Sequence, residues 1–586
     1  MPGGRGAEAA VSYEVDLRTP GSHLVRVGMT IPQAGAGTQV QYPAWNALYQ
    51  IRDFVRWMRD LSAQCDGRPL QLLRHELYTW SSGEQNCEKL EIRYSVYADE
   101  EGVFSSVLNE HHAYLNPAMI LFYLPQERAR PLRVKYLLPD GWKLATLLNP
   151  TQQPDEFEAR NYDELADSPA EAGDFREFEY EQKGAHYRIV LDADAREYPG
   201  GKLVESVRKI TDAATSLIEG VPFARYTFLV HVSPAGRGGM EHRDGAAITV
   251  SAEEWKSNWP EVEWIIAHEF LHAWNVKRIR PQSLEPIDYV HGNDTRDLWF
   301  AEGVTSTLGE YALLRAGMLA PETFLARLAG EIKQLEERPA RSRQSAEDSG
   351  REAWLEKYPD YLLPARSISY YNKGELLGFL LDLLIRHESG SRRGLYDVMR
   401  TLNEDYARRG RFFKSEDLIR TVEGLCGDGD SVRRFFKEYV SGTEELDYDK
   451  YLNYAGLRLA RKSTETPNLG FVAVQNFGQG VVVASVQPGS HAEEAGLRAG
   501  DFLLEMNGKP LQGTPDDLIA KMKPGQSVDF RVRRRRREIS IKYNLEARAD
   551  TVYSIEEARD ASAGQRQFRE LWLAGKTLAA APGEKP

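Results

Sequence analysis

The sequence predicts a multidomain α+β protein: a β-sandwich-like N-terminal domain, a mixed sheet with a helical lobe in the middle, and a second β-rich module near the C-terminus. Three observations carry this expectation. At 586 residues the chain exceeds what a single hydrophobic core organises. Its first third alternates apolar and polar residues, as strands with one buried face require. Its middle changes to helical periodicity, and short strand-like runs return after about residue 461.

In the region 12–194, Leu90, Ile92, Tyr94 and Val96 alternate with Glu91, Arg93 and Ser95. Similar runs occur at 23–31, 119–124, 132–137 and 186–191, and one early helix is expected near 44–63. Residues 1–11, rich in Gly and Ala, read as a flexible N-terminus. The acidic, proline-containing stretch 154–174 reads as a loop against the next domain, or as a linker. Over 195–457 the pattern predicts a helix at 202–218, strands at 225–232 and 246–250, and one helix through 264–274. After Glu302 it is nearly all helix, interrupted by the polar stretch 337–350. A small sheet followed by a helical lobe leaves room for a cleft between them. A further domain is expected over 461–545 and a C-terminal tail, with a helix within 553–578, over 546–586.

Composition narrows the function classes. A net charge of −13 argues against a general nucleic-acid binder, because an acidic surface repels phosphate. The longest apolar run, 376–385, is broken by Gly378 and Asp382, so no membrane span is expected. The first residues lack an apolar signal core, which points to a cytoplasmic protein. Cys65, Cys87 and Cys426 lack metal-site spacing and are expected to pack rather than pair, in keeping with a reducing compartment.

The chemistry concentrates in His268-Glu269-Phe270-Leu271-His272, an HExxH motif within the expected helix. Histidines one turn apart on a helix project from one face and can reach one metal ion, and the intervening glutamate can deprotonate a metal-held water. Pro260, with Glu261 and Glu263, suits the N-terminal end of that helix, and Lys277, Arg278 and Arg280 gather before a stop at Pro281. Two ordinary histidines are the alternative. A catalytic zinc needs a third protein ligand and an open position. Glu302, a carboxylate in the apolar stretch 298–304, is the best candidate, since coordination explains an otherwise costly burial. One zinc ion per chain is therefore expected.

Two resemblances extend this reading. Asn468 to Phe471, followed by Pro488-Gly489-Ser490 and Ala495-Gly496-Leu497 through Gly500-Asp501 and Asn507-Gly508, resembles a PDZ domain of the protease-associated type. There the loop Leu469-Gly470-Phe471 can offer backbone N–H groups and a strand edge to a peptide or C-terminal segment. The stretches 268–281 and 298–305, with 162–169 upstream, are similar to the glycyl aminopeptidase family of zinc peptidases. That resemblance implies a thermolysin-like catalytic domain behind an N-terminal β domain, often with a C-terminal PDZ domain. It implies architectural kinship with alanyl aminopeptidases and a preference for small N-terminal residues such as glycine or alanine.

By the same relation, Gly238-Gly239-Met240-Glu241-His242 resembles the exopeptidase motif whose glutamate binds a free α-ammonium; His242 stands where those enzymes have asparagine. The resemblance thus implies substrate binding at Gly239, Met240 and Glu241. Without it, Glu241 reads as a loop residue. Tyr371-Asn372-Lys373-Gly374 is similar to an element whose tyrosine stabilises the oxyanion, which points to Tyr371. Tyr370 could instead be a core ring, and periodicity does not separate the two.

The expected function is a zinc aminopeptidase acting on peptides with a free N-terminus, with Glu269 as general base. An endopeptidase or an epoxide hydrolase on the same scaffold is a rival, as is a PDZ-centred binding protein with a vestigial metal site. The basic run Arg533–Arg537 reads as a solvated hairpin, and the turn 427–430 lacks the remaining ligands of a calcium loop. His111-His112 has no ligand partner in view.

Overall fold

A computed structural model describes residues 9–46, 49–234, 236–355, 364–476, 480–511 and 513–578. Most of the expected flexible N-terminus therefore lies outside the described residues. The chain divides into two compact units, Met1–Leu457 with Glu557–Pro586, and Arg458–Glu556.

The first unit opens with a β-rich domain built on an eight-stranded sheet. In it Val11–Asp16 pairs antiparallel with Leu24–Ala34 and parallel with Leu132–Leu137, and Cys87–Tyr97 continues the sheet. Smaller sheets of four and three strands accompany it. The apolar run 119–124, expected as a strand, is instead a helical turn at Pro117–Ile120 followed by extended chain. Only Tyr123 pairs with a strand residue, Gln41, and tyrosine hydroxyls satisfy the carbonyls ahead of it. Tyr94 donates to Ile120 at 2.8 Å, Tyr162 to Leu121 at 2.9 Å and Tyr13 to Phe122 at 2.8 Å. Each such bond contributes about 1 kcal/mol net, and an unmet carbonyl there would cost more.

Three further expectations for this domain are corrected. No long helix forms across the described part of 44–63. Tyr49 and Asp53 take left-handed backbone angles, which interrupt an α-helix, and the stretch becomes a 3-10 turn at Phe54–Trp57 and a strand at Met58–Cys65. The segment 154–174 is not a loop but a strand, Glu156–Ala159, a helix, Tyr162–Ala166, and a strand, Ala170–Gly173. Cys65 and Cys87 form a disulfide rather than packing as thiols. They meet because neighbouring strands of one sheet bring residues 22 apart in sequence side by side, which spacing alone does not reveal. The bridge removes the cysteine argument for a reducing compartment.

The second large sheet of this unit, of five strands, starts at Arg176, ahead of the expected boundary at 194. Its core is three parallel strands, Ala185–Asp192, Arg225–Ser233 and Gly245–Ser251. Arg176–Gln182 closes one edge antiparallel, and Gly238–His242 closes the other. The helix Gly201–Leu217 makes the crossover that the first parallel pair requires. The helix Trp259–Leu271 follows, with Pro260 in its first turn, and it packs on the sheet edge and on the helix Thr305–Arg315. It is apolar almost all round, from Val262 to Leu271, as a helix in a core must be. It ends at Leu271, well before Pro281, and Lys277 and Arg278 leave it to pair with Asp167 and Asp244.

A helical lobe completes this unit, and its last element is the C-terminal helix Ala563–Ala574. Trp572 is fully buried there, and its indole donates to the Tyr311 hydroxyl at 2.6 Å. Tyr311 in turn donates to Asp382, which is ion-paired with buried Arg386 at 3.0 Å. Arg386 also donates to the Lys576 carbonyl at 2.9 Å.

In the second unit, Phe471–Asn476 is the edge strand of a sheet that continues through Gly480–Val486, Phe502–Met506, Ser527–Arg534 and Arg537–Asn544. Ser490 caps the short helix His491–Glu494, and buried Asp501 accepts two hydrogen bonds from Arg534, each 2.7 Å long. The side chains of Leu469 and Phe471 belong to the core of this unit. Gly470 donates its N–H to the Asn468 side chain and accepts from the Gln487 N–H. Val472 and Val474 on the edge strand stay exposed. Among the described residues no helix is long and apolar enough to cross a membrane.

Replacing Trp572 with alanine removes a buried ring and strands the Tyr311–Asp382–Arg386 network. The expected cost to the first unit is about 3–5 kcal/mol, seen as a lower denaturant midpoint for its unfolding.

Candidate metal centre and cleft

His268 lies in the last turn of the helix Trp259–Leu271 and His272 at its C-cap, both buried. Their Nε2 atoms stand 3.0 Å apart. Glu302, on the irregular helical segment Trp299–Val304, brings Oε2 to 3.6 Å from His268 Nε2 and 3.3 Å from His272 Nε2. The outer nitrogens are occupied: His272 Nδ1 lies 2.6 Å from the Asn275 carbonyl and His268 Nδ1 3.3 Å from the Ser306 hydroxyl. A carbonyl accepts only from a protonated nitrogen, so in its neutral form His272 carries its proton on Nδ1 and turns its Nε2 lone pair toward the shared point.

Asn275 locks this geometry. Its amide donates to the Phe300 carbonyl at 2.8 Å and to Thr305 Oγ1 at 3.0 Å, tying the chain after the HExxH motif to the segment that carries Glu302. Tyr49, from the N-terminal domain, donates to Glu302 Oε1 at 3.4 Å. Sequence reasoning assigned neither residue a role. Asn275 stands just beyond the HExxH motif, within the stretch 268–281, but acts through tertiary contacts, and Tyr49 belongs to no motif.

Glu269 is buried beside the triad, and its Oε2 has no hydrogen-bond partner among the described residues. Burial pushes its pKa well up; His272 opposes this, and Glu241 and Glu302 add to it. Burial disfavours charge on His272, yet Glu302, Glu241 and Glu269 outweigh it and push its pKa up to about 10. Three carboxylates around two imidazoles make an electron-rich pocket, and two histidine nitrogens with a glutamate oxygen are the donor set of a catalytic zinc. The residues present fit that metal.

Gly238–His242 is an edge strand rather than a loop, and its pleat sorts the motif. Met240 and His242 are buried on one side, while Gly239 and Glu241 alternate with them. A Glu241 carboxylate oxygen falls within 4.8 Å of ligand atoms of Glu269 and His272. At Gly239 a Cβ would stand 2.1 Å from Glu269 Oε1, so only glycine lets the strand lie this close. His242 is tied beneath the strand: its Nδ1 is 3.2 Å from Asp167 Oδ1, which also takes Lys277 Nζ at 2.6 Å. Asp167, unassigned by sequence reasoning, thereby anchors the strand. The two tyrosines also separate. Tyr370 is in the core with Trp45, Tyr49 and Leu298, whereas Tyr371 lines the cleft with its ring 6.2 Å from that of His268.

These groups surround a cavity of about 950 Å³. Residues 12–174 match the Peptidase M61 N-terminal domain, 261–377 match M61 glycyl aminopeptidase, and 482–534 match a PDZ domain. The chain belongs to the M61 glycyl aminopeptidase family. It is similar over 96% of its length to the whole of an aminopeptidase N family protein from Idiomarina loihiensis, at 24% identity and a TM-score of 0.84, which shows the shared fold. An M1 zinc metallopeptidase from Deinococcus radiodurans aligns over 73% of this chain and 92% of its own, at 14% identity and a TM-score of 0.46. Among curated sequences, a probable periplasmic serine endoprotease DegP-like from Marinomonas sp. (strain MWYL1) is 39% identical over 80 residues. That match covers 13% of this chain and 17% of the relative.

In this M61 metallopeptidase two helices are held by direct backbone contact. A Cβ on Gly303 would lie 2.4 Å from the Gly374 backbone, and one on Gly374 would lie 2.4 Å from the Trp299 carbonyl oxygen. Glu302 and Tyr371 flank this contact, so their separation is set by two missing side chains. Gly374→Ala should move them apart by a fraction of a helix radius and lower kcat/KM by about 100-fold, checked on a chromogenic aminoacyl anilide.

Proposed function

We propose that the chain removes single residues from the free N-termini of peptides, with glycine or alanine preferred at the first position. The observation that carries this reading is Glu241. Its carboxylate stands at the sheet-edge wall, within 4.8 Å of Glu269 and His272, where a substrate α-ammonium would meet it by charge-assisted hydrogen bonding. A chain anchored there presents its first peptide bond to the centre.

His268, His272 and Glu302 would hold zinc, which when bound polarises a carbonyl and acidifies water. Glu269 takes the proton from the attacking water and returns it to the leaving amine; a buried carboxylate of raised pKa suits both transfers. Tyr371 turns its hydroxyl toward the developing oxyanion. The backbone at Gly239 and Met240 gives the substrate a strand edge beside Glu269. The exposed edge strand Phe471–Asn476 supports a separate role for the PDZ unit in capturing an extended or C-terminal peptide segment through Leu469, Gly470 and Phe471.

Glu241→Ala should lower kcat/KM on free aminoacyl anilides by about 100-fold or more and leave N-blocked peptides unaffected. Equal losses on both would favour an endopeptidase. Glu269→Gln should keep the zinc content of the protein and lower kcat by about 10²–10⁴-fold; turnover at the native rate would remove Glu269 as the base.

A further inference from the structure

A second histidine–carboxylate cluster lies where the N-terminal and catalytic sheets of the first unit meet. His112 and Glu171 come from the paired strands His112–Leu115 and Ala170–Gly173, where His112 faces Gly173 and Glu171 faces Tyr114. They are therefore diagonal neighbours on one ladder. Asp192 and His231 are register partners near the C-terminal ends of two parallel strands of the catalytic sheet. Each sheet thus supplies one imidazole and one carboxylate.

Three of the four side chains converge on one point, and Asp192 adjoins His112. His112 Nδ1 is 3.1 Å from Glu171 Oε1 and 3.0 Å from Asp192 Oδ2, and His231 Nε2 is 2.6 Å from Glu171 Oε2. One ligand atom from each of His112, Glu171 and His231 falls within the same 4.8 Å limit as those of His268, His272 and Glu302. Glu171 is only 1% exposed, and His231 is buried. Among the described residues no lysine or arginine pairs with either carboxylate, so only the imidazoles answer their charge. Burial opposes charge on His112, but Glu171 and Asp192 outweigh it and push its pKa up to about 9. The cluster draws positive charge to one point.

We propose that His112, Glu171 and His231, with Asp192 beside His112, form a second zinc site, with a structural role in clasping the N-terminal sheet to the catalytic sheet. Two imidazole nitrogens and two carboxylate oxygens suit zinc, whereas magnesium and calcium prefer an all-oxygen shell. Tetrahedral bonds of about 2.0–2.2 Å place ligand atoms roughly 3.3–3.5 Å apart. The His112 contacts need to open by a few tenths of an ångström, as the 3.0 Å pair in the catalytic triad does, and the 2.6 Å His231–Glu171 contact by about 0.7–0.9 Å.

The test is zinc stoichiometry in the full-length chain. The wild-type protein, dialysed against zinc and then freed of excess, should carry two equivalents by elemental analysis, and His231→Gln should carry one and keep its peptidase activity. His268→Ala with Glu302→Ala should still take up one equivalent when the stripped protein is titrated with Zn2+ against a chromophoric chelator. Adding Glu171→Gln to that pair should abolish the uptake. A single equivalent in the wild-type chain, lost with His268→Ala and Glu302→Ala and indifferent to His231→Gln, would overturn the proposal and leave the cluster as an ion-pair network.

Discussion

The buried carboxylate of Glu302 is the constraint on which the catalytic unit turns. It is 3% exposed, and two imidazoles and the Tyr49 phenol stand against it, with Glu269 close enough to add like charge. Removing such a charge from water costs several kcal/mol, and no lysine or arginine stands against it among the described residues. A divalent cation at the point shared by His268, His272 and Glu302 supplies the missing charge, which is why these residues suit a metal better than they suit one another. Much of the surrounding structure keeps them in place without one: the Asn275 bridge, the Tyr49 hydroxyl and the glycine contact between the segments that carry Glu302 and Tyr371.

That contact also explains how one wall of the cleft stays rigid while its groups remain accessible. Helices that touch through glycine backbone have no side chain between them to change rotamer, so Glu302 and Tyr371 move as one body. On the opposite wall Gly239 does the same for the edge strand and Glu269. Preorganised donors and acceptors of this kind lose little to reorganisation during reaction.

The candidate site was largely legible in the sequence because the residues the structure brings together there are grouped in local motifs. HExxH, the carboxylate in an apolar run, the motif around Glu241 and the tyrosine ahead of Gly374 each occupy a few consecutive residues. Residues that act across the fold left no such trace. Tyr49, Asp167 and Asn275 reach their partners only after several elements pack, and neither His112 nor Glu171 has a ligand nearby in sequence. The fold misreadings share this origin. Residues 119–124 look like a strand because they are apolar, but the four-tyrosine environment, with Tyr42 donating to Met119 beside the three bonds above, takes the place of strand pairing at 119–122 and leaves it only at Tyr123. Cys65 and Cys87 meet only through strand pairing.

The same long-range contacts show why the N-terminal domain is part of the enzyme rather than a companion to it. Its Tyr49 touches Glu302, its Asp167 holds the strand that presents Glu241, and Phe104 and Tyr289 help line the cavity from either side of that junction. Residues on this domain thus fix one metal-facing carboxylate and the proposed anchor for the substrate amine. A rotation of the domain would move both relative to His268 and His272, which belong to the other sheet's helix. The Asp167 link to His242 and Lys277 therefore bears on the cleft directly, whereas the His112–Glu171–Asp192–His231 cluster joins the same two sheets away from it.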